Sequence, residues 1–202
     1  MTTALMNSPV QPTATGLPRP LRLTCREFHN MGEAGMFVGR RAMLIDGVIL
    51  EQGPMNPPHA IAVPLAANAM QAAFGSGWHV RCQLPLVLGL STDPMPDNAI
   101  VRGLPRDYTK HPIGAGLVIE ISDTTLAFDR DDKALLYAAG SIADYWVVDL
   151  VNRQLLVFRD PQADPAQPHG YSYQQQTTFG PSDSVAPLAA SNSAIAVADL
   201  LP

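Results

Sequence analysis

The stretch that most constrains this chain runs from Leu117 to Asp149. It opens on Leu117-Val118-Ile119-Glu120-Ile121-Ser122 and closes on Trp146-Val147-Val148-Asp149, with a charged, helix-opening segment between the two apolar runs. Two-residue alternation puts Val118, Glu120 and Ser122 on one face of a strand and Leu117, Ile119 and Ile121 on the other. A carboxylate in so apolar a strand is costly unless something pairs with it, so Glu120 calls for a metal, a lysine or solvent at a cleft.

The rest of the chain can be read around that unit. Met1 to Pro20 is rich in Thr, Pro, Ala and Ser and is expected to be a disordered tail; residues 21–202 are expected to form one domain. Thr24 caps a short helix over Cys25 to Met31. Ala42 to Leu50 reads as a hairpin turning on Asp46-Gly47, the strongest short turn signal in the chain. Asn56-Pro57-Pro58-His59 opens a helix of about 16 residues that ends near Gly75. Its expected core stripe is Ile61, Leu65, Ala69 and Ala72 or Ala73, with Pro64 marking a kink or the true start. Trp78 to Gln83, Leu84 to Leu90 and Asp97 to Val101 read as strands, and Gly103 to Gly116 as an irregular, partly basic loop. After the Glu120 strand, Asp129 is expected to cap a helix running to Ala139, stopped by Gly140. Asp144 to Leu150 and Arg153 to Arg159 form a strand pair, Asp160 to His169 a loop, and Tyr171 to Gln176 a half-exposed strand. Ser191 to Leu201 folds back on Ile195, Val197 and Leu200.

Three residues carry chemistry. Pro96-Asp97 opens an apolar run with a carboxylate, Glu120 supplies a second, and Lys133 lies on the helix that follows. Two carboxylates on neighbouring strands can hold a magnesium ion, which prefers oxygen ligands and keeps several waters. Such an ion polarises a phosphoryl oxygen and activates a water, and a nearby lysine can orient that water and offset phosphate charge. Asp, Glu and Lys together are the minimal kit of a metal-dependent nuclease. The bland readings of the same residues are a turn aspartate, a solvated edge glutamate and a lysine on the wet face of a helix.

The joint pattern is more specific than its parts. Pro96-Asp97, Glu120-x-Ser122, Asp129-x-x-x-Lys133-x-x-x-Tyr137-x-x-Gly140 and Asp144-Tyr145-Trp146-Val147-Val148-Asp149 follow one another in order, behind Leu44-Ile45-Asp46-Gly47 and Pro57-Pro58-His59. This order resembles the Uma-two family of restriction-endonuclease-like proteins in the PD-(D/E)XK superfamily, over about Thr24 to Phe158 and loosely to Leu201. The resemblance implies an α/β fold of restriction-endonuclease type, a mixed central β-sheet flanked by helices. It also implies cleavage of DNA with Mg2+ or Mn2+, with Asp97 and Glu120 as metal ligands and Lys133 as the catalytic lysine. The superfamily's lysine normally lies two residues after the acid, where this chain has Ser122; here Lys133 reaches in from the helix. The family's hairpin usually begins with a glutamate where this chain has Met43. Glu51, His59 and Ser122 are further candidates for the site, and Arg106, Lys110 and His111 for phosphate contacts. Nucleases of the superfamily often pair, so a homodimer is expected. Alanine at position 133 is expected to abolish cleavage and leave the fold intact.

Composition narrows the class. Of 202 residues, 47% are hydrophobic and 15% charged, so the chain is globular. A net charge of -5 argues against a strongly electrostatic nucleic-acid binder while leaving room for a local basic surface. Neither a secretory signal nor a membrane-spanning run is visible, and Cys25 and Cys82 lack metal-site spacing. These features lead us to expect a cytoplasmic protein with reduced thiols and no membrane partner. The rival to the nuclease is a catalytically degenerate protein of the same fold that binds nucleic acid or a protein partner through the same cleft. A structural role in a dimer is the third reading.

Overall fold

A computed structural model describes residues 18–202; all but the last three residues of the expected tail lie outside the described residues. Six strands form the central sheet: β3 (Trp78–Cys82), β4 (Asn98–Arg102), β5 (Leu117–Ser122), β6 (Asp144–Asp149), β7 (Gln154–Ala163) and β8 (Tyr171–Phe179), in that spatial order. Every neighbouring pair is antiparallel except β5 and β6. A parallel pair needs a crossover. The segment between them supplies it as a π-helical stretch, Phe128–Lys133, running directly into α3 (Ala134–Ala139).

Helices cover both faces, as the strand alternation requires. On one face Leu117, Ile119 and Ile121 of β5 and Trp146 and Val148 of β6 pack against α2 (Pro57–Phe74) and against Ile195, Val197 and Leu200 near the C-terminus. On the other, Val118, Tyr145 and Val147 pack against Ala134, Tyr137 and Ile142. The expected two-faced reading of the Glu120 strand therefore holds. The α2 stripe holds only in part. Ala69 and Ala73 are partly buried against the core, but the buried residues of the helix are Ala62, Val63, Ala66, Met70 and Phe74, while Ile61 is 51% exposed and Pro64 sits exposed within the helix. In an alanine-rich helix the apolar contrast between faces is weak, so periodicity alone does not fix the rotation.

The hairpin β1 (Ala42–Ile45) and β2 (Val48–Glu51) lies outside the main sheet, against α1 (Cys25–Glu33). Asp46 and Gly47 both have positive φ, 50° and 73°, as a two-residue turn of this kind demands. A Cβ on Gly47 would lie 2.8 Å from the Leu23 nitrogen and 2.9 Å from its carbonyl oxygen, so the turn is also a packing contact. Thr24 and Glu27 form a reciprocal capping box at α1. Cys25 is buried and Cys82 exposed, and both are free thiols.

Three expected boundaries shift. Leu84 to Leu90 is not a strand: the Leu86 and Leu88 N–H groups donate to Pro94 and Thr92 within an irregular loop, and Pro85 offers no donor. Strand β7 continues through Asp160, at φ 58°, to Ala163, into the segment expected to be a loop. Strand β9 (Ser184–Val185) was not expected; it pairs with β10 (Ile195–Ala196) in the expected terminal fold-back. Among the described residues, no helix is long and apolar enough to cross a membrane.

Candidate functional site

The β4–β5 register sets the site. Asn98 pairs with Ile119, so Asp97 stands opposite Glu120 and their side chains leave the same face of the sheet. The Ile121 N–H donates to Asp97 Oδ2 at 2.9 Å, and the Asp97 N–H reaches Glu120 Oε2 at 3.4 Å. From α2, His59 Nε2 lies 2.9 Å from Asp97 Oδ2, and Gln83 donates to Oδ1 at 3.0 Å. From the crossover, Lys133 Nζ lies 3.0 Å from Glu120 Oε1 and 2.9 Å from Asp129 Oδ1. The Tyr137 hydroxyl donates to Glu120 Oε1 at 2.6 Å. Asp97, Glu120, Lys133 and His59 thus converge on one cleft of about 400 Å³.

The π segment contributes to this convergence. Asp129, Lys133 and Tyr137 are each four residues apart and all turn towards Glu120 and its strand. In a straight α-helix, at 3.6 residues per turn, residues four apart drift by about 40° per step, so about 80° accumulates over the two steps. A turn closed at i+5 holds more residues and reduces that drift.

Asp129 is not the helix cap expected from its sequence position. It lies inside the π segment, 2% exposed, with Oδ2 accepting from Ser122 Oγ and Thr125 Oγ1, each at 2.5 Å. The Tyr145 hydroxyl donates to its backbone carbonyl at 2.8 Å. Sequence reasoning missed Asp129, Gln83 and Tyr137 as site residues. The Asp-x-x-x-Lys spacing, which puts both side chains on one helix face, was the available signal for the first.

The other candidates divide. Ser122 is fully buried and engaged by Asp129 rather than open to the cleft. Glu51 lines the cleft at its exposed edge, 3.5 Å from Arg40. Met43 lines the same cleft, 5% exposed, where the resemblance places a glutamate. Lys110 and His111 do not line the cleft; they border a separate depression beside Trp78 and Arg102, with Arg106 on the 3-10 turn Pro105–Asp107 next to it.

The electrostatics follow from burial and stoichiometry. Asp97, Glu120 and Asp129 are all nearly buried, and Lys133 is the only ammonium among them. Burial raises the Glu120 carboxyl to about 7; Lys133 opposes that rise, and Asp97 and Asp129 add to it. Lys133 moves up because Glu120 and Asp129 together outweigh its own desolvation. Asp97 is held low despite burial by His59, Gln83 and the Ile121 N–H, and the hydrogen bond to Asp97 raises His59. One lysine serves two anions, so each anion is under-neutralised and the cleft is short of positive charge.

A hard divalent ion fits that donor set. Asp97 and Glu120 offer oxygen ligands side by side, the kind magnesium takes one or two of while keeping its waters. Among the described residues no group of three or more His, Cys, Asp or Glu side chains forms a ready cage, so water would complete the coordination.

Comparison with known proteins gives one family and one fold. The Uma2 family model, described as "Putative restriction endonuclease", matches residues 26–198. A putative nuclease belonging to DUF820 from Anabaena variabilis ATCC 29413 is similar in structure, with a TM-score of 0.61 and 18% identity over 79% of this chain and 88% of that one. At that identity the likeness is one of fold. No curated protein matches the chain.

Proposed function

The chain belongs to the Uma2 family, and from that premise we propose that it is a divalent-metal-dependent endonuclease that hydrolyses phosphodiester bonds in DNA. The observation that carries this reading is the meeting of Asp97, Glu120 and Lys133 in a cleft whose carboxylates outnumber its lysine and arginine. Asp97 and Glu120 would hold Mg2+ or Mn2+. Bound there, the ion supplies a Lewis acid for a phosphoryl oxygen and a more acidic water.

The chain's own groups have separate work. Lys133 keeps its charge beside Glu120, where it orients the attacking water and offsets the negative charge that grows on the phosphate. Asp129, held by Ser122 and Thr125, fixes the lysine at 2.9 Å. Tyr137 fixes one oxygen of Glu120 and leaves the other facing Asp97. His59 and Gln83 orient Asp97. We assign the protein to the cytoplasm and to a homodimer, the arrangement by which related nucleases cut two strands; sedimentation measures the second.

The test is cleavage of plasmid and single-stranded DNA with Mg2+ or Mn2+, wild type against Glu120→Gln. Metal-dependent cleavage lost in the variant supports the reading. Absence of cleavage by wild type with any divalent ion overturns it. The rival, a degenerate protein that binds nucleic acid or a protein partner, is favoured by Met43 at the position where a glutamate is usual. Metal-dependent cleavage gained in Met43→Glu would identify the missing ligand.

A further inference from the structure

The charges outside the cleft are distributed unevenly. The cleft lining holds Glu51, Asp97, Glu120, Asp123 and Asp129 against Arg41 and Lys133, so by itself it repels a phosphate chain. The edge of the sheet at β3 is the reverse. Arg81, Arg102, Arg106 and Lys110 gather there, and among the described residues none lies within ion-pair distance of a carboxylate. The ion pairs belong to Arg40, Arg130, Lys133, Arg159 and three histidines.

These cations are held by rings rather than by anions. The Arg102 guanidinium lies 4.4 Å from the centre of the Trp78 ring, and Arg81 lies 5.9 Å from that of Tyr108. The Tyr108 hydroxyl is fixed to the Arg102 carbonyl at 2.5 Å. Arg81 Nη2 is 3.4 Å from His111 Nδ1, and its Nε is buried without a partner. Asp107, the one acid lining the depression, is engaged by the Leu104 N–H at 2.7 Å. Arg102 thus lines a depression of about 840 Å³, and Arg81 stands beside Tyr108 at its rim, its side chain leaving the opposite face of the same sheet edge; both guanidinium groups are oriented with donors to spare.

The register ties this edge to the cleft. Arg81 pairs with Ala99, two residues along from Asp97, so Arg81 and Asp97 leave the same face of the sheet. Two residues of strand are about 7 Å. A nucleic acid carries a phosphate per strand about every 3.4 Å of helix axis, so a few nucleotides bridge the two places.

We propose that the β3 edge and the loop from Gly103 to Gly116 form a phosphodiester-backbone-binding face, which anchors a nucleic acid strand beside the acidic cleft. The nuclease reading supplies the identity of the polyanion; the surface itself is independent of it. The chemistry recognised is the backbone, carried by either duplex or single-stranded DNA.

The experiment is fluorescence anisotropy with a labelled 20-mer, duplex and single-stranded in separate arms, in EDTA from 50 to 200 mM KCl. Arg106→Glu/Lys110→Glu reverses two exposed side chains that, among the described residues, make no side-chain hydrogen bond or ion pair, so it tests the face without reaching the core. Arg81→Gln is the second variant, and melting curves check that both fold. Wild type is expected to bind, more tightly in one arm, which identifies the form held. The double reversal should weaken binding at least tenfold and lower the slope of log K against log salt by about 2, close to one unit per lost phosphate contact. Wild-type affinity and slope in both variants, or no binding of either DNA by wild type, would overturn the proposal. Binding that depends on the face without metal-dependent cleavage would sink the nuclease reading and leave this one standing; cleavage with unaltered binding in the variants would do the opposite.

Discussion

Replacing Lys133 with methionine keeps most of the side-chain volume and deletes the ammonium that lies 3.0 Å from Glu120 and 2.9 Å from Asp129. A lysine on a wet helix face could be lost without consequence, and the sequence alone suggested that alanine here would spare the fold. This lysine is 5% exposed between carboxylates exposed by 1% and 2%, which reverses that expectation. Removing one partner of a buried ion pair costs about 3–5 kcal/mol. In a domain of this size, 1 kcal/mol moves Tm by about 2–4 °C, so the expected loss at pH 8 is roughly 6–20 °C. The pH dependence has a definite sign. The folded Glu120 carboxyl is already raised from 4.5 to about 7, and loss of the lysine, which opposes that rise, moves it higher. A carboxyl raised in the folded state binds its proton more tightly there than in the unfolded chain. Its destabilisation is absent below the unfolded value and grows as pH rises through the folded one. The gap between wild type and variant should therefore be wider at pH 8 than at pH 5.5. Thermal melts followed by circular dichroism at the two pH values measure it. A variant that melts within a degree of wild type at pH 8 would refute the buried network.

Magnesium at a hundred times its Kd should stabilise the folded protein by about 2.7 kcal/mol, and Glu120→Gln should remove the gain; a melting shift that survives the substitution puts the ion elsewhere. Asp129→Asn should lower the cleavage rate by about 10- to 100-fold, the scale on which outer partners of a metal site act, with KM little changed; steady-state kinetics on a labelled duplex measure it, and an unaltered rate rejects Asp129 as the group that positions Lys133. Gly47→Ala should cost about 1–3 kcal/mol in urea unfolding, because φ is positive and the new Cβ meets Leu23 backbone. Gly39→Ala also has positive φ but open space around it, and should cost less; equal costs would contradict the packing argument.

What could be read in the chain depended on how local its cause was. The alternation around Glu120, the Asp46-Gly47 turn and the Thr24 cap are each decided by a few neighbouring residues, and each appears as expected. Asp129 shows the limit. An aspartate before a helical run is a common cap, and only the arrival of Ser122, Thr125 and Lys133 around its carboxylate reveals another part. The α2 face is legible only in part, through Ala69 and Ala73, because alanines leave little contrast, and Leu84 to Leu90 is not, because an apolar run does not disclose that Pro94 and Thr92 will take its hydrogen bonds. Arg106, Lys110 and His111 were recognised as a basic group, but spacing carries no information on where a long loop settles relative to a cleft.

The π-helical stretch from Phe128 to Lys133 has a consequence for comparing relatives. A wide turn of this kind accommodates one residue more than the α-helical path it replaces. Removing one residue between Asp129 and Lys133 would let the helix close into regular turns with the flanking segments still in phase, and would leave the aspartate three residues before the lysine instead of four. Residues three and four apart both lie on one face of an α-helix, so a relative that spells Asp-x-x-Lys here can keep the same ion pair. In this stretch a one-residue gap is therefore compatible with an intact site, and a search that demands the four-residue spacing would pass such a relative over.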